Sequence, residues 1–178
     1  MIFLAACSGS GNGSSDGAST TTGEGEGSGG STAAVAQGVT DSEIKVGWFG
    51  PQTGNVAIYD LVRKGIDSYF KYVNENGGVE GRELKLIAYD DQYQPAKGVQ
   101  LSKRLVEEDK VFAIIGAQGS PSNAAAKDFL VESGVPVLMP GTGLKEFVEP
   151  TIKNWMGTAM MQYSVEASIL LDYAVNEQ

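Results

Sequence analysis

The chain has 178 residues, 42% of them apolar, enough for one ordinary domain with tails. A net charge of -9 with only 13 scattered basic residues excludes a nucleic-acid partner, because phosphate binding needs Lys and Arg gathered on one face. There is no histidine, which removes the usual general base, the Ser-His and Cys-His nucleophile pairs and most zinc sites; no metal or cofactor is expected.

Cys7 is the single cysteine, so no disulfide follows. The tetrad Leu4-Ala5-Ala6-Cys7, set between a short apolar run and small polar residues, resembles the lipobox that ends a bacterial lipoprotein signal peptide. Residues 1–7 are therefore expected to be the shortened remnant of such a signal, with Cys7 as the lipidated residue. Residues 8–40 are mostly Gly, Ser and Thr and read as a disordered tether, whose r.m.s. span by the random-coil relation is roughly 30 Å.

Order is expected from Asp41. Ile44, Val46, Trp48 and Phe49 make a first strand that runs into the loop GPQTGNVAIYD, and Leu61, Val62, Ile66, Tyr69, Phe70 and Val73 recur at the three-and-four spacing of a helix. The glycine-rich turn Asn74 to Arg82 stops it, and Leu84 to Tyr89 form a second strand. Asp90, Asp91 and Pro95 open a helix that carries Val99, Leu101, Leu105 and Val106 inward and ends at Glu107 to Asp109. Val111 to Ile115 is a continuous apolar run, the pattern of a strand covered on both faces. Ser120, Pro121, Ser122 and Asn123 precede a third helix, Ala124 to Leu130, as its cap and first turn. A fourth strand, Val135 to Met139, feeds the loop Pro140-Gly141-Thr142-Gly143. Trp155 to Thr158 read as a short connecting strand, and Val165, Ile169, Leu170, Tyr173 and Ala174 mark a last amphipathic helix without a stop signal, so the C-terminus is expected to be truncated. Alternating strands and helices predict an α/β fold, a parallel sheet with right-handed crossovers and helices on both faces. The lobe is expected over residues 41–153, with 154–178 as a hinge crossing and the first helix of an incomplete second lobe.

Ligands of open parallel sheets sit outside the carboxyl ends of the strands, which singles out the loops after strands one, three and four. A nucleotide is a poor guest: Gly116-Ala117-Gln118-Gly119 lacks the G-x-G-x-x-G spacing, and no G-x-x-x-x-G-K-[ST] occurs. A carboxylate suits the Ser120 turn better, since amides at a helix start carry partial positive charge and the hydroxyl adds a donor. The competing reading makes Ser120 an N-cap only. Adjacent Asp90 and Asp91 are expected to cap the next helix rather than hold a metal, and Tyr59 either stacks on a ligand or covers the sheet edge.

Together VGWFGPQTGN, NENGGVEGRELKLIAYDDQYQPAKG, IIGAQGSPSNAAA and GVPVLMPGTG resemble the solute-binding proteins of ABC importers, in the type I group that includes the Leu/Ile/Val-binding proteins. The resemblance covers about Glu43 to Gln178 and implies two α/β lobes closing on one small ligand, an amino acid or organic acid. It implies no catalysis, an ABC permease as partner, and an extracytoplasmic position with membrane contact through a lipid anchor. It assigns the ligand carboxylate to Ser120 with Gln118 and Gly119 in the same loop, main-chain contacts to Gly141 and Thr142, an aromatic contact to Tyr59, and a contact from the hinge side to Tyr163 with Gln162. Amino-acid binders carry a hydroxyl residue where this chain has Gly143, a departure that puts the ammonium contacts in question. The loops GSPSN and WMGTAMMQYSVEA look closer to receptors for aromatic and other organic acids. The same lobes also serve as ligand-sensing ectodomains of signalling receptors, which is the alternative.

Overall fold

A computed structural model describes residues 36–147 and 153–176. Cys7 and residues 8–35 of the expected tether lie outside the described residues. Ala36 to Thr40 already join the folded unit: the Gln37 side-chain amide donates to the Val111 carbonyl at 3.0 Å, and Val39 bridges Ile44.

Among the described residues five strands occur, β1 (Glu43–Gly50), β2 (Glu83–Asp90), β3 (Ala113–Ile115), β4 (Val137–Leu138) and β5 (Trp155–Met156). They form one sheet in the order β2-β1-β3-β4-β5, every pair parallel, as the alternating pattern requires. Helices α1 (Asp60–Glu75), α2 (Pro95–Lys103), α3 (Ser120–Ser133) and α4 (Tyr163–Asn176) alternate with them. Because the chain steps from β1 outward to β2 and then back across to β3, right-handed crossovers put α1 on one face and α2 and α3 on the other. The glycines record this. A Cβ on Gly116 would meet Ile66 and Val62 of α1, whereas one on Gly47 would meet Leu105, just past α2. Helices α2 and α3 pack on each other so closely that a Cβ on Gly98 would lie 2.7 Å from that of Ser122.

The core lies on the α2/α3 side, where Phe49, Leu105, Val111, Ile114, Ala126, Leu130 and Val137 exclude solvent completely. Burying each of the larger side chains contributes about 1.5–3 kcal/mol. Phe147 stacks on Trp155 with ring centroids 4.7 Å apart, which fastens the short strand β5 to the core.

Several expected boundaries move. The second helix ends at Lys103 and continues as one π turn over Arg104–Glu108, which turns Leu105 and Val106 into the core. Strand β3 is shorter than its apolar run: Val111 is buried, but Phe112 points to solvent at the amino edge. The last helix, expected to run to Gln178, begins at Tyr163 and is described as far as Asn176, and it is not amphipathic in the expected sense. Apart from Glu166 in the first turn, its polar residues Ser164, Ser168, Asp172 and Asn176 make one narrow i, i+4 stripe, and Ile169, Leu170, Leu171, Tyr173 and Val175 are all exposed. A helix apolar on most sides is built to be covered. Among the described residues no helix is long and apolar enough to cross a membrane.

Candidate functional site

The strand order reverses between β1 and β3, so the loops leaving their carboxyl ends diverge and open a crevice there. The loops after β1, β2, β3 and β4 rim it together with the start of α4, and the sequence dictates how each is held. After β1, the amides of Gln52 and Thr53 and the Thr53 hydroxyl all donate to the Asp90 carboxylate at the end of β2. Burial alone would raise the Asp90 pKa, but the Thr53 hydroxyl and the amides of Gln52, Gln92 and Thr53 hold it below its ordinary value. This first loop ends in a 3-10 turn, Ala57–Tyr59, that leaves the Tyr59 ring partly exposed at the rim.

After β2, Asp90 and Asp91 do not cap α2, whose N-cap position is Gln94 with no side-chain cap bond. Each carboxylate instead accepts the amide two residues on: Asp90 takes Gln92 at 3.0 Å and Asp91 takes Tyr93 at 2.7 Å. These are tandem Asx turns. They hold Gln92 and Tyr93 at φ 53° and 60°, a left-handed conformation uncommon for residues with a Cβ. Asp91 is wholly buried, and burial pushes its pKa up against the pull of the Ser122 hydroxyl and the Tyr93 amide. The Ser122 contact falls short of good hydrogen-bond geometry, so the second Asp91 oxygen and the Ser122 Oγ are both buried without a well-formed partner.

After β3, Gly116 and Gly119 take φ values of 60° and 116°, which break the strand and turn it into α3. The helix begins at Ser120 itself, with Gly119 in the N-cap place and no side-chain cap bond. The capping reading of Ser120 is therefore wrong. Loop closure falls to Asn123, whose buried side-chain amide donates to the carbonyls of Ala117 and Gly119 at 2.9 Å each. The Ser120 hydroxyl is thereby freed to face the crevice. It lies 2.9 Å from Thr142 Oγ1 and 2.9 Å from the Tyr163 hydroxyl.

After β4, Thr142 is fully buried beneath that contact, and its Oγ1 also accepts the Leu144 amide at 3.2 Å. Tyr163, the first residue of α4, donates its amide to the Gly143 carbonyl. A Cβ on Gly143 would sit 2.6 Å from the Tyr163 ring and would collide with the Met161 carbonyl oxygen. Tyr163 thus fills the space that a hydroxyl residue at 143 would need.

Of the residues singled out from sequence, Ser120, Thr142 and Tyr163 come together as one hydroxyl cluster, with Tyr59 on the rim. Three others are committed elsewhere. The Gln118 side chain is buried over Gly141, where a Cβ would collide with its Oε1, and the Gln118 main-chain amide donates to the Phe49 carbonyl. The amides of Gly119 and Gly141 are spent on each other's loops, on the Gly141 and Ala117 carbonyls respectively. These three brace the site rather than line it. Gln162 accepts the Val165 and Glu166 amides through its main chain, at the start of α4.

One lining residue escaped the sequence reading. The Tyr93 ring lies across Gly119, where a Cβ would be 2.9 Å from its Cε2, and 6.2 Å from the Tyr59 ring at an interplanar angle of 34°. Its hydroxyl pKa is raised by burial and by the neighbouring Tyr59, Tyr163 and Asp91 groups. The available signal was the Asp-Asp-Gln-Tyr order, which two Asx turns fold over. Separate clefts lie away from this crevice, one of about 240 Å³ by Gln37, Phe112 and Pro136 at the amino edge and one of about 400 Å³ between Lys103 and Phe129. The polar cluster and the topology mark the strand-end crevice as the candidate site.

The periplasmic binding protein family matches this chain over residues 43–178. The chain is 30% identical over 128 residues to Leu/Ile/Val-binding protein homolog 2 of Brucella abortus, covering 71% of this chain and 34% of that protein. It is 30% identical over 132 residues to the leucine-specific-binding protein of Salmonella typhimurium, covering 74% and 36%. Among solved structures, the fatty acid ABC transporter substrate-binding protein from Thermomonospora curvata superposes with a TM-score of 0.70 at 26% identity, over 80% of this chain and 36% of that one. The isoleucine complex of the branched-chain amino acid transporter substrate binding protein from Streptococcus pneumoniae shares the fold, with a TM-score of 0.69 at 24% identity over 76% of this chain and 38% of that one. The chain thus spans about a third of the length of the curated relatives it matches. A doubly wound parallel lobe with its polar cluster at the strand switch point, matched by the family over nearly all of its folded part, makes this chain a member of the periplasmic binding protein family.

Proposed function

We propose that the protein is the solute-binding component of an ABC importer, capturing a small carboxylate-bearing molecule without transforming it. The observation that carries this reading is the Ser120–Thr142–Tyr163 cluster on the crevice wall, beside the start of α3. Three hydroxyls share two hydrogen bonds, and the third O–H, whose other contact is a long one from Tyr163 to Met160 Sδ at 4.0 Å, can turn to a stronger acceptor, while the first-turn amides of α3 add their partial positive charge. The site has donors in excess and no nucleophile–base pair, which favours holding an anion over reacting with it. The acids named for the relatives have a carboxylate in common. Tyr59 borders the same shelf and lies against the body of the ligand, and a permease takes the loaded protein. Residues 1–7 attach it to the outer face of the cytoplasmic membrane through lipidated Cys7, with residues 8–35 as the tether.

Calorimetric titration of the protein with a panel of amino acids, aromatic acids and fatty acids tests the ligand class. A hydrogen bond to a charged group contributes about 1.5–3 kcal/mol, so Ser120→Ala should weaken carboxylate binding by roughly 10- to 150-fold. Unchanged affinity in that variant would remove Ser120 from the site.

A further inference from the structure

We infer that Asp91 is a positioning residue of the Ser120 shelf and works as a neutral acid: its carboxyl proton is donated to Ser122 Oγ, which clasps the loop after β2 to the first turn of α3. The consequence for ligand binding rests on the reading of Ser120 as the carboxylate holder, whereas the clasp itself does not.

Three observations carry it. Both atoms of the clasp are buried inside the lobe: Asp91 and Ser122 exclude solvent completely, and while Asp91 Oδ1 accepts the Tyr93 amide at 2.7 Å, Asp91 Oδ2 and Ser122 Oγ have no well-formed partner. Buried polar atoms left unpaired are costly, and one shared hydrogen bond satisfies both. The second observation is how differently the two neighbouring carboxyls are treated. Asp90 accepts the amides of Gln52, Thr53 and Gln92 and the Thr53 hydroxyl, which favour its ionised form. Asp91 has one amide, and burial together with the adjacent Asp90 charge opposes loss of its proton, against the pull of Ser122 and the Tyr93 amide. Paired carboxyls whose surroundings push them apart take opposite states. The charged group bearing on Asp91 is Asp90 from β2, and the titratable group on its own loop is Tyr93, on which Tyr59 and Tyr163 bear in turn; β1 meets Asp91 with the Gly50 carbonyl, and α3 meets it with Ser122. Of the two directions the Asp91–Ser122 bond can run, the one with the proton on the acid buries no charge.

The third observation is what the clasp holds. Through Oδ1, Asp91 fixes Tyr93 at φ 60°, with its ring across Gly119, the residue before Ser120. Through Oδ2 it meets Ser122, two residues beyond Ser120 in the same turn, and Gly98 of α2 presses on Ser122 closely enough that a Cβ there would lie 2.7 Å from the serine's own. One carboxyl thus grips the Ser120 turn on both sides. Ionisation converts the acid from donor to acceptor and buries a charge beside Asp90, so the clasp is intact at low pH and weakens as pH rises through the Asp91 midpoint.

The test follows the aspartate carboxyl carbons of the full chain by NMR against pH, with Asp91→Asn to assign the Asp91 signal. Asp91 should keep its proton to a higher pH than Asp90 does, and the Tyr93 ring and Ser120 amide signals should shift at the Asp91 midpoint. In Asp91→Asn, whose side-chain amide can make the same donation to Ser122, those two signals should stay at their low-pH positions throughout. Ser122→Ala reads the direction of the bond: losing an acceptor from the neutral acid lowers the Asp91 midpoint, whereas losing a donor to the carboxylate raises it. An Asp91 midpoint at or below that of Asp90, a rise in Ser122→Ala, or Tyr93 and Ser120 signals indifferent to the Asp91 midpoint would each overturn the inference. The two readings separate cleanly, because none of these measurements uses a ligand. Carboxylate affinity unchanged in Ser120→Ala removes the binding site and leaves the clasp standing.

Discussion

Thr142 offers a sharp test of what holds the site together, because its hydrogen bonds lie on Oγ1 and its packing on the methyl group. The side chain is fully buried, its hydroxyl is 2.9 Å from Ser120 Oγ, and the same oxygen accepts the Leu144 amide at 3.2 Å. Thr142→Val keeps the volume and removes both bonds. A net hydrogen bond contributes about 1 kcal/mol, and leaving the half-buried Leu144 amide unpaired adds about 1–3 kcal/mol, so the loss should come to about 2–4 kcal/mol. Thr142→Ser keeps both bonds and removes one methyl group, which costs about 1 kcal/mol by analogy with other single-methyl deletions. In urea, with a slope of about 2 kcal/mol per molar for a domain of this size, the Val variant should unfold roughly 1–2 M earlier and the Ser variant about 0.5 M earlier. Carboxylate affinity should follow the same order, since only Val unties Ser120. If Ser proves the more damaging substitution, then packing around the methyl group, and not the hydroxyl cluster, organises this loop, and the argument for a poised donor fails.

Two further perturbations follow from the same geometry. Asp91 has its folded-state pKa raised by burial, so its contribution to stability is fully present below the unfolded value, about 3.9, and is lost as pH rises through the higher folded value. Asp91→Asn keeps an acceptor for the Tyr93 amide and abolishes the titration. Its stability relative to wild type should therefore be lowest near pH 3 and improve toward neutrality, as followed by urea midpoints across that range; a difference that grows in the variant's favour toward acid would contradict the sign. Gly143→Ala places a Cβ against the Met161 carbonyl and the Tyr163 ring, an overpacking that costs about 1–3 kcal/mol. It should lower the melting temperature and displace α4, seen as changed tyrosine near-UV dichroism; an unperturbed variant would mean that Tyr163 does not rest on this glycine.

Local pattern alone was sufficient for most of the fold. A run such as Val46 to Phe49 or Val111 to Ile115 reads as a strand covered on both faces, and the three-and-four spacing of Leu61 to Val73 leaves one apolar stripe, so strand, helix and parallel order follow from elementary burial. The element ends did not follow as well. Whether Phe112 belongs to the strand, or where α2 gives way to its π turn, depends on what packs over those residues. The site divides in the same way. Ser120 was legible as a donor at a helix start, but its partners lie 22 and 43 residues further on, at Thr142 and Tyr163. Only the register of β3 with β4, which aligns Ile115 with Leu138, brings the first of these into reach. Gln118, Gly119 and Gly141 looked like ligand groups because the sequence shows residue types and not commitments; the Gln118–Gly141 bridge had already spent the amides of Gly119 and Gly141, and the Phe49 carbonyl that of Gln118. Tyr93 was the converse case. Its residue type drew no notice in a loop, and two carboxylates accepting amides two residues ahead turned it onto Gly119. Sequence determines what short-range sterics and solvent alone can decide, namely which segments are buried and in what order they alternate. Which hydroxyl meets which, and which amide remains to hold a ligand, is settled by contacts between residues far apart in the chain, and those exist only once the sheet has set their distances.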